Sequence, residues 1–530
     1  MQKSIDKSAI LAYNYKQVLS ICERYCNIMS YRIEQEIKGT IYVYEATSYW
    51  DKDKKKTCQK REIIGKRDKA TGELIPSKKN VEQVPTLSKN YGNFHLLNSI
   101  SEEVGLTRVL KINFPKSYLE ILTCAFYEVS ESKPLYLCQG WCEKNHVPTI
   151  KSLSSQRISE LLYDMTDIDR MSFFKKWCSY RIEKEYLAFD ITSISSYSDL
   201  IEFVEFGYNR DKEDLPQINL AMLFGQSSQL PIFYNFYPGS IRDVSTLHNM
   251  IEFAEELEIQ NMKYVMDKGF YSEKNIEKLL AKRIKFTISV PFNNKFSKQM
   301  VDDVRESINT CENSMMLSDD IVYAHTTSIK INNKKVHVHT FYNEQHYIDE
   351  KETLYKKIAK IEENIKKHPD SYVDNCSKYL TIERTKKGLV INKNKENIEN
   401  ALKYKGYLVM LSNDIDQAKE ALYVYRTKDK VEKAFDNLKN ELDLKRLRIH
   451  SEEAMKGRLF IGFIALILQS HIHKVMKETD LVKNYTVEEL IGELEKISLI
   501  EFTSGKKIMT EISKKQRLIY EKFKVELPKI

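Results

Sequence analysis

Three acidic residues stand in sequence contexts that suit metal-dependent chemistry. Asp190 lies inside the apolar, strand-like segment AFDITS, and Asp267 ends a similar segment, YVMD. A carboxylate in so apolar a strand is costly to desolvate unless a cation or a hydrogen-bond donor accompanies it. Two acids at strand ends can converge at the rim of one sheet. There they would hold two divalent metal ions, roughly 3.5 to 4 Å apart, across an attacking and a leaving oxygen.

The third acid, Glu432, belongs to a segment with helical periodicity, YRTKDKVEKAFDNLKNE. On one regular helix, Tyr425, Lys428, Glu432 and Lys439 would share a stripe of roughly 60°, since successive residues turn by about 100°. Glu432 would then face the metal site while both lysines point at phosphates in the same groove. An adjoining apolar stripe would pack this helix onto the sheet, and it contains Val424, Val431, Phe435, Leu438 and Leu442.

The elements that must position these acids form a mixed α/β pattern. Three β-rich segments between 186 and 239 predict an antiparallel meander. A helix from Asp243, and then strand, helix and strand up to residue 291, predict crossover connections. Residues 292–405 read as an insertion with a hairpin at 321–341 and a charged helix at 349–368. The sheet resumes with a strand at 406–413, and one long helix follows.

The first 180 residues read as mainly helical, with helices near 94–106, 116–131 and 154–182. They are interrupted by a β-hairpin whose strands are 41–50 and 61–66. Its basic tip is either a solvated loop or, in a protein that acts on DNA, a contact to the phosphate backbone. A helix-turn-helix unit is compatible with this region, but its register stays open.

Composition is that of a globular protein: 42% of the 530 residues are hydrophobic and 30% are charged. The net charge of +8 permits a polyanionic partner without requiring one. The longest apolar run, 459–468, falls short of the roughly 20 residues that cross a bilayer, so we expect a buried helix and no membrane partner. The N-terminus lacks a secretory pattern, and nine cysteines fit reduced thiols, so we expect a cytoplasmic protein.

Cysteine and histidine pairs also raise the question of zinc. Cys138 and Cys142, near His146, have C-x3-C spacing instead of the usual C-x2-C, as do Cys22 and Cys26. Neither pair has an evident fourth ligand. His337 and His339 would share one strand face, which a solvated hairpin explains better than a metal site.

These motifs together resemble the DDE transposases of insertion sequence family four, whose signature is Y-x2-R-x3-E-x6-K. Tyr425, Lys428, Glu432 and Lys439 match its spacing, with lysine at 428 where the family has arginine. Lysine keeps the charge but loses the bidentate fork of arginine. The resemblance also includes FDITS, PIFYNFYPGSIRDVSTL, MDKGFYS and GYLVMLSN, and thus spans roughly 186–470 in order.

The resemblance implies a ribonuclease-H-like mixed-sheet core, with a β-rich and helical insertion between Asp267 and Glu432. It implies two Mg²⁺ or Mn²⁺ ions held by Asp190, Asp267 and Glu432, and DNA contacts from Tyr425, Lys428 and Lys439. The implied partners are double-stranded DNA, both terminal inverted repeats and target, and a second copy in a homodimer on DNA, in a bacterial, nucleoid-associated setting. We expect five regions: a DNA-binding region at 1–180, core parts at 181–291 and 406–480, the insertion at 292–405, and a C-terminal helical region at 481–530.

Three hypotheses about function follow. The first is an active transposase that cleaves transposon ends and joins them to target DNA, by cut-and-paste. The second is a ribonuclease-H-like nuclease that cleaves but does not join. The third is a domesticated, non-catalytic DNA-binding protein on the same fold.

Overall fold

A computed structural model describes residues 30–51, 56–77, 85–181, 186–256, 263–317, 320–368, 378–385 and 388–530. The chain forms two compact units. The smaller one comprises the described residues up to Ser88 together with Leu499–Met509 and Ile530, and the larger one comprises the described part of Lys89–Ser498 and Thr510–Lys529.

The smaller unit contains an antiparallel sheet of four strands in sequential order. Its two longest strands pair as the predicted hairpin, with Ala46 opposite Arg61. Residues 52–55 of the predicted basic tip lie outside the described residues. The two flanking strands were not predicted, because they are short or carry polar side chains on most of their positions. The strands are β1 (Ser30–Ile37), β2 (Thr40–Asp51), β3 (Lys56–Arg67) and β4 (Leu74–Pro76).

In the described part of the chain, six α-helices lie between strand β5 (Pro85–Asn90) and the central sheet of the larger unit. The predicted helices near 94–106 and 116–131 are confirmed, and the predicted helix at 154–182 is two helices separated by a Thr166 N-cap. The six are α1 (Gly92–Glu103), α2 (Leu106–Asn113), α3 (Tyr118–Glu131), α4 (Cys138–Lys144), α5 (Ser155–Asp164) and α6 (Asp167–Ser179).

The central sheet begins as predicted, with an antiparallel meander followed by strand-helix-strand units. In space its first five strands have the order β8-β7-β6-β9-β10, in which β9 is parallel to both β6 and β10. The meander is β6 (Tyr186–Ser196), β7 (Gln217–Gly225) and β8 (Pro231–Pro238); then come α7 (Asp243–Glu256), β9 (Lys263–Met266), α8 (Glu273–Ala281) and β10 (Lys285–Val290). The predicted mixed α/β fold is thus confirmed at this level.

The block at 292–405 extends this sheet and adds a small subdomain. The predicted hairpin is present, and Asn332 and Asn333 adopt positive φ in its two-residue turn, as such turns require. Its strand β13 pairs with the resumed strand β16, so the hairpin belongs to the same ten-stranded sheet. The elements are α9 (Lys295–Asp302), β11 (Ser314–Leu317), β12 (Asp320–Ile331), β13 (Lys334–Tyr342), α10 (Glu344–Lys367), β14 (Leu380–Thr385), β15 (Gly388–Lys393), α11 (Lys395–Leu402) and β16 (Tyr407–Ser412).

The predicted charged helix, α10, has one apolar face. Leu354, Ile358 and Ile365 on that face form a small core with Leu380 and other residues of the β14–β15 hairpin. The charged side chains on the rest of its surface make i,i+4 ion pairs such as Lys366 with Glu362. This packing explains why a helix with so many charges is stable here.

The chain after β16 is helical except for short strands. The elements are α12 (Ala418–Arg426), α13 (Asp429–Asp436), a π-helical turn (Asn437–Glu441), β17 (Arg446–Leu447), α14 (Glu452–Glu478), α15 (Val487–Glu495), β18 (Ser498–Phe502), β19 (Lys507–Met509) and α16 (Lys514–Lys522). Strand β18 pairs with β19, and β5 completes their three-stranded sheet.

Helix α14 contains the longest apolar run and is a core helix, as predicted. By length and composition it could cross a membrane, but 83% of its most apolar 18-residue window is buried inside the structure. It packs against α3 and α5. An aromatic cluster joins Phe460 and Phe463 to Phe174 of α6, and a buried ion pair joins Arg458 to Glu128 of α3.

Candidate functional site

Strand register places Asp190, Asp267 and Ser289 in one row across the middle of the sheet. Phe189 of β6 pairs with Met266 of β9, and Met266 pairs with Ile288 of β10, all in parallel register. The next residues of β6 and β10 are Asp190 and Ser289, and Asp267 is the residue directly after β9. Neighbouring strands lie about 4.8 Å apart, and residues in register project from the same face. The two aspartates predicted from the sequence are thus adjacent.

Asp267 accepts hydrogen bonds from two hydroxyl groups. Tyr425 donates its phenolic proton to Asp267 Oδ1 at 2.7 Å, and Ser289 Oγ donates to the same oxygen at 3.1 Å. Burial raises the pKa of this carboxyl, but the Lys428 ammonium and these hydrogen bonds outweigh it and hold the pKa below its usual range. Asp267 is therefore ionised at neutral pH.

Asp190 has a poorer hydrogen-bonding environment. Its Oδ1 accepts a hydrogen bond of 2.8 Å from the Ile191 backbone N–H. Burial raises the pKa of Asp190 to about 6, although Lys428 and Arg210 oppose the shift, and Glu432 adds to it. Two neighbouring carboxyls with pKa values pushed in opposite directions are typical of functional sites. A divalent cation would remove the cost of ionising Asp190.

The signature segment is not the single regular helix that the sequence predicted. Helix α12 ends at Arg426, α13 begins at Asp429, and the segment then widens into the π-helical turn. The predicted 60° stripe is therefore wrong in detail, because it assumed 3.6 residues per turn throughout. The apolar stripe is confirmed: Val424, Val431, Phe435, Leu438 and Leu442 are all buried.

Glu432 is half exposed on α13, and its carboxylate pairs with Lys428 rather than with the aspartates. Lys428 Nζ lies 2.7 Å from Glu432 Oε1. The charge of Lys428 also acts on Asp190 and Asp267, so this one ammonium lies near all three acids. Although burial alone lowers the pKa of Lys428, the contact with Glu432 and the nearby aspartates raise it above its ordinary value.

The donor chemistry at this rim suits a hard cation, because Mg²⁺ and Mn²⁺ prefer carboxylate oxygens. Among the described residues, no three carboxylate, histidine or cysteine side chains are grouped closely enough to hold one ion. Asp190 and Asp267 lie next to each other at this rim. Glu432, on α13, is paired with Lys428.

The other signature residues are engaged with protein groups. Tyr425 contacts Asp267, as described above, and its hydroxyl also lies 3.0 Å from Ser289 Oγ. Lys439 is buried, and its Nζ lies 2.7 and 2.9 Å from the two carboxylate oxygens of Asp211. A contact between Lys439 and DNA would require this ion pair to open.

A cleft of about 990 Å³ opens beside Asp267 and extends towards α11. Two of its aromatic rings, Phe292 and Tyr404, stack with centroids 5.7 Å apart and planes 18° from parallel. Its acidic lining residues are Asp267 and Glu350, and Glu350 is paired with Lys405. The basic lining residues outnumber them: Lys268, Lys298, Lys378, Lys403, Lys405 and Arg426. The cleft therefore combines positive charge with flat aromatic surface next to the acids.

Comparison with known protein families agrees with this geometry. The family described as the Transposase DDE domain matches residues 181–468, more than half of the chain. The chain belongs to this transposase family. The matched range includes Asp190, Asp267 and Glu432. It also includes the strands β6 to β10 and the helices α12 and α13.

Comparison with solved structures finds a distant likeness to a piggyBac transposase in a synaptic complex with hairpin DNA. The alignment covers 76% of this chain and 70% of that chain, with 11% sequence identity and a TM-score of 0.33. No curated protein matches the chain.

Sequence reasoning missed Ser289, Arg210 and Asp211. Ser289 could not be selected from the sequence, because Thr287 lies on the same face of β10. The pattern of one strand does not show which of the two hydroxyls lies next to Asp267. Only the parallel register with β9 selects Ser289. Arg210 and Asp211 lie in the loop between β6 and β7, where residue spacing carries no geometric information.

The zinc candidates are engaged otherwise. Cys138 and Cys142 have sulfurs 3.7 Å apart, and His146 packs edge-on against Phe94. Cys22 and Cys26 lie outside the described residues. The solvated-face interpretation of His339 was wrong: its ring is fully buried, with its nitrogens 2.9 Å from Thr326 Oγ1 and 3.1 Å from the Ile415 carbonyl.

Proposed function

We propose that this chain is an active DNA transposase of insertion sequence family four, with a ribonuclease-H-like catalytic core. In this proposal it cleaves DNA at transposon ends and joins the ends to target DNA by cut-and-paste. One observation carries the proposal: Asp190 and Asp267 are adjacent in the sheet of a DDE transposase domain, beside the segment that contains Glu432.

Asp190, Asp267 and Glu432 would hold two Mg²⁺ or Mn²⁺ ions. Bound there, the ions would activate the attacking hydroxyl and stabilise the departing oxygen of a phosphodiester. The chain's own residues prepare this site. Tyr425 and Ser289 hold the Asp267 carboxylate by hydrogen bonds. Burial disfavours the ionised form of Asp190, so a bound cation would stabilise that carboxylate.

Lys428 links the acids to the substrate. Its ammonium is 2.7 Å from Glu432 Oε1. A DNA phosphate offers this ammonium an alternative anion, since lysine binds phosphate as a point charge. Moving Lys428 to the phosphate would release Glu432 towards the aspartates, so that DNA binding and completion of the carboxylate set occur together.

The cleft supports nucleic acid as the substrate. Its lysines provide counter-charges for a phosphate backbone, and the stacked Phe292 and Tyr404 rings offer a face on which bases can stack. In the proposal, the DNA partners are terminal inverted repeats and a target duplex, and two copies of the chain assemble on them.

The test is cleavage and joining of DNA that carries the inverted repeats flanking the gene. With Mg²⁺, we expect nicks at the repeat ends and covalent joining to a second duplex. EDTA should abolish both. Pre-cut ends that are not joined, despite cleavage of intact ends, would show a nuclease instead. Repeats that are bound but neither cut nor joined would show a non-catalytic DNA-binding protein.

A further inference from the structure

Ser289 lies outside the DDE signature, yet its hydroxyl touches one of the three acids. We propose that Ser289, together with Tyr425, is a positioning residue that fixes the Asp267 carboxylate for metal binding. This inference rests on the proposed function, since it assumes that Asp267 is a metal ligand.

Three oxygens form a closed triangle at this point. The distances are 2.7 Å from Tyr425 to Asp267 Oδ1, 3.1 Å from Ser289 to the same oxygen, and 3.0 Å between the two hydroxyls. Both hydroxyls therefore converge on one carboxylate oxygen. Two donors on one oxygen restrict rotation of the carboxylate about its Cβ–Cγ bond.

The two donors come from separate and rigid elements. Ser289 is 1% exposed on β10, which is paired on both sides, with β9 and β16. Tyr425 lies in the last turn of helix α12 and packs against a buried cluster that includes Val265 and Leu422. Neither hydroxyl can move far without disturbing the sheet or the helix, so the position that they impose on Asp267 is well defined.

This arrangement is compatible with metal ligation. An ionised carboxylate has about four lone-pair sites, and the two hydroxyls use only part of them. Hydrogen bonds to the ligands of a metal commonly orient them, and losing one typically weakens metal affinity by about 10 to 100-fold. Ser289 and Tyr425 have the geometry of such groups.

The experiment measures Mn²⁺ binding to the full chain by electron paramagnetic resonance, without DNA. The variants are Ser289→Ala, Ser289→Thr, which keeps the hydroxyl, and Tyr425→Phe, together with Asp267→Ala, which removes the proposed ligand itself. Thr287→Val is the matched control, because Thr287 is a buried hydroxyl two residues away on the same strand and bonds to Ser412 instead. Circular dichroism reports whether each variant is folded.

We expect Mn²⁺ to bind Ser289→Ala and Tyr425→Phe about 10-fold more weakly than wild type. Ser289→Thr and Thr287→Val should bind within about twofold of wild type. Equal Mn²⁺ affinity in wild type and Ser289→Ala, with Asp267→Ala strongly impaired, would overturn the positioning role alone. If Ser289→Ala does not fold, unchanged affinity in Tyr425→Phe overturns it. If Asp267→Ala binds Mn²⁺ as wild type does, the proposed metal site is wrong. The proposed role of Ser289 is then wrong as well, because it assumes that Asp267 is a ligand.

Discussion

The Lys428 ammonium lies 2.7 Å from the Glu432 carboxylate, one helical turn away. Glu432 is thus paired on α13, while Asp190 and the residue directly after β9, Asp267, lie next to each other at the sheet. The proposed site therefore combines residues positioned by strands with residues of the helices α12 and α13. The predictions below test each part.

Lys439 is expected to contribute to stability through Asp211. Replacing Lys439 by Met would leave the partly buried Asp211 carboxylate without its cation, at a cost of about 2 kcal/mol in the free energy of unfolding. Urea denaturation of Lys439→Met, Asp211→Asn and the double variant would give a coupling of about 1 to 2 kcal/mol. An undiminished stability of Lys439→Met, with weaker DNA binding, would instead make Lys439 a DNA contact.

The cleft lysines are expected to bind the DNA backbone. Lys298→Gln and Lys378→Gln should each weaken DNA binding and lower the slope of log affinity against log salt by about one. Fluorescence anisotropy at several salt concentrations measures this slope. Lys356→Gln is the control, because Lys356 lies on α10 and pairs with Glu352. The same slope in all four proteins would exclude the cleft as the DNA path.

Patterns within one strand or one helix were enough to select the candidate acids. Asp190 was selected because it interrupts an apolar strand and Asp267 because it ends one, and the succession of strands and helices predicted a meander followed by crossover connections. Glu432 was selected from its helical spacing to Tyr425, and the structure has a helix break between the two.

The parts that were missed depend on contacts between distant segments. The π-helical turn has no clear local signal, since VEKAFDNLKNEL is a continuous amphipathic pattern. Ser289 became visible only through its register with β9. The partners of Lys439 and Lys428 also required the structure, because sequence spacing places a lysine on a face but does not say which carboxylate it meets.

His471 is expected to make the fold acid-sensitive. Its side chain is 12% exposed on α14, and burial, helped by Lys474 and Arg181, lowers its pKa to about 4. Glu103 lies 3.7 Å away and would favour the proton, but its side chain is 58% exposed and screened by solvent, so burial dominates. The unfolded chain takes up the proton near pH 6.5 and the folded chain only near pH 4. Stability should therefore fall as the pH drops through this window, by up to about 3 kcal/mol.

Denaturation of His471→Gln from pH 4 to 8 measures this effect. The variant should lose less stability below pH 6.5 than wild type, whereas His473→Gln, two residues away and 34% exposed, should follow wild type. Parallel pH profiles for wild type and His471→Gln would contradict the assignment.

Replacement by alanine should change the stability of the fold in opposite directions at two helical glycines, Gly457 and Gly492. A Cβ at Gly457 of α14 would meet the Leu162 carbonyl oxygen at 2.4 Å, so Gly457→Ala should destabilise the fold by about 1 to 3 kcal/mol. At Gly492 of α15 a Cβ meets nothing within 4 Å, so Gly492→Ala should stabilise the helix by roughly 0.5 to 1 kcal/mol. Urea denaturation gives both values. A Gly457→Ala variant as stable as wild type would show that α14 and α5 do not pack as closely as described.

The most direct test of the central claim is the rate of Mg²⁺-dependent cleavage of DNA carrying the flanking inverted repeats. The variants are Asp190→Asn, Asp267→Asn and Glu432→Gln, with the exposed Asp199→Asn as the control acid. Each of the three site variants should lower the cleavage rate by at least about 100-fold while it still binds the DNA, since each removes a carboxylate that would hold a metal ion at the reacting phosphate. Asp199→Asn should cut at the wild-type rate. Cleavage by any of the three site variants within about twofold of Asp199→Asn would contradict the assignment of these acids as the catalytic set.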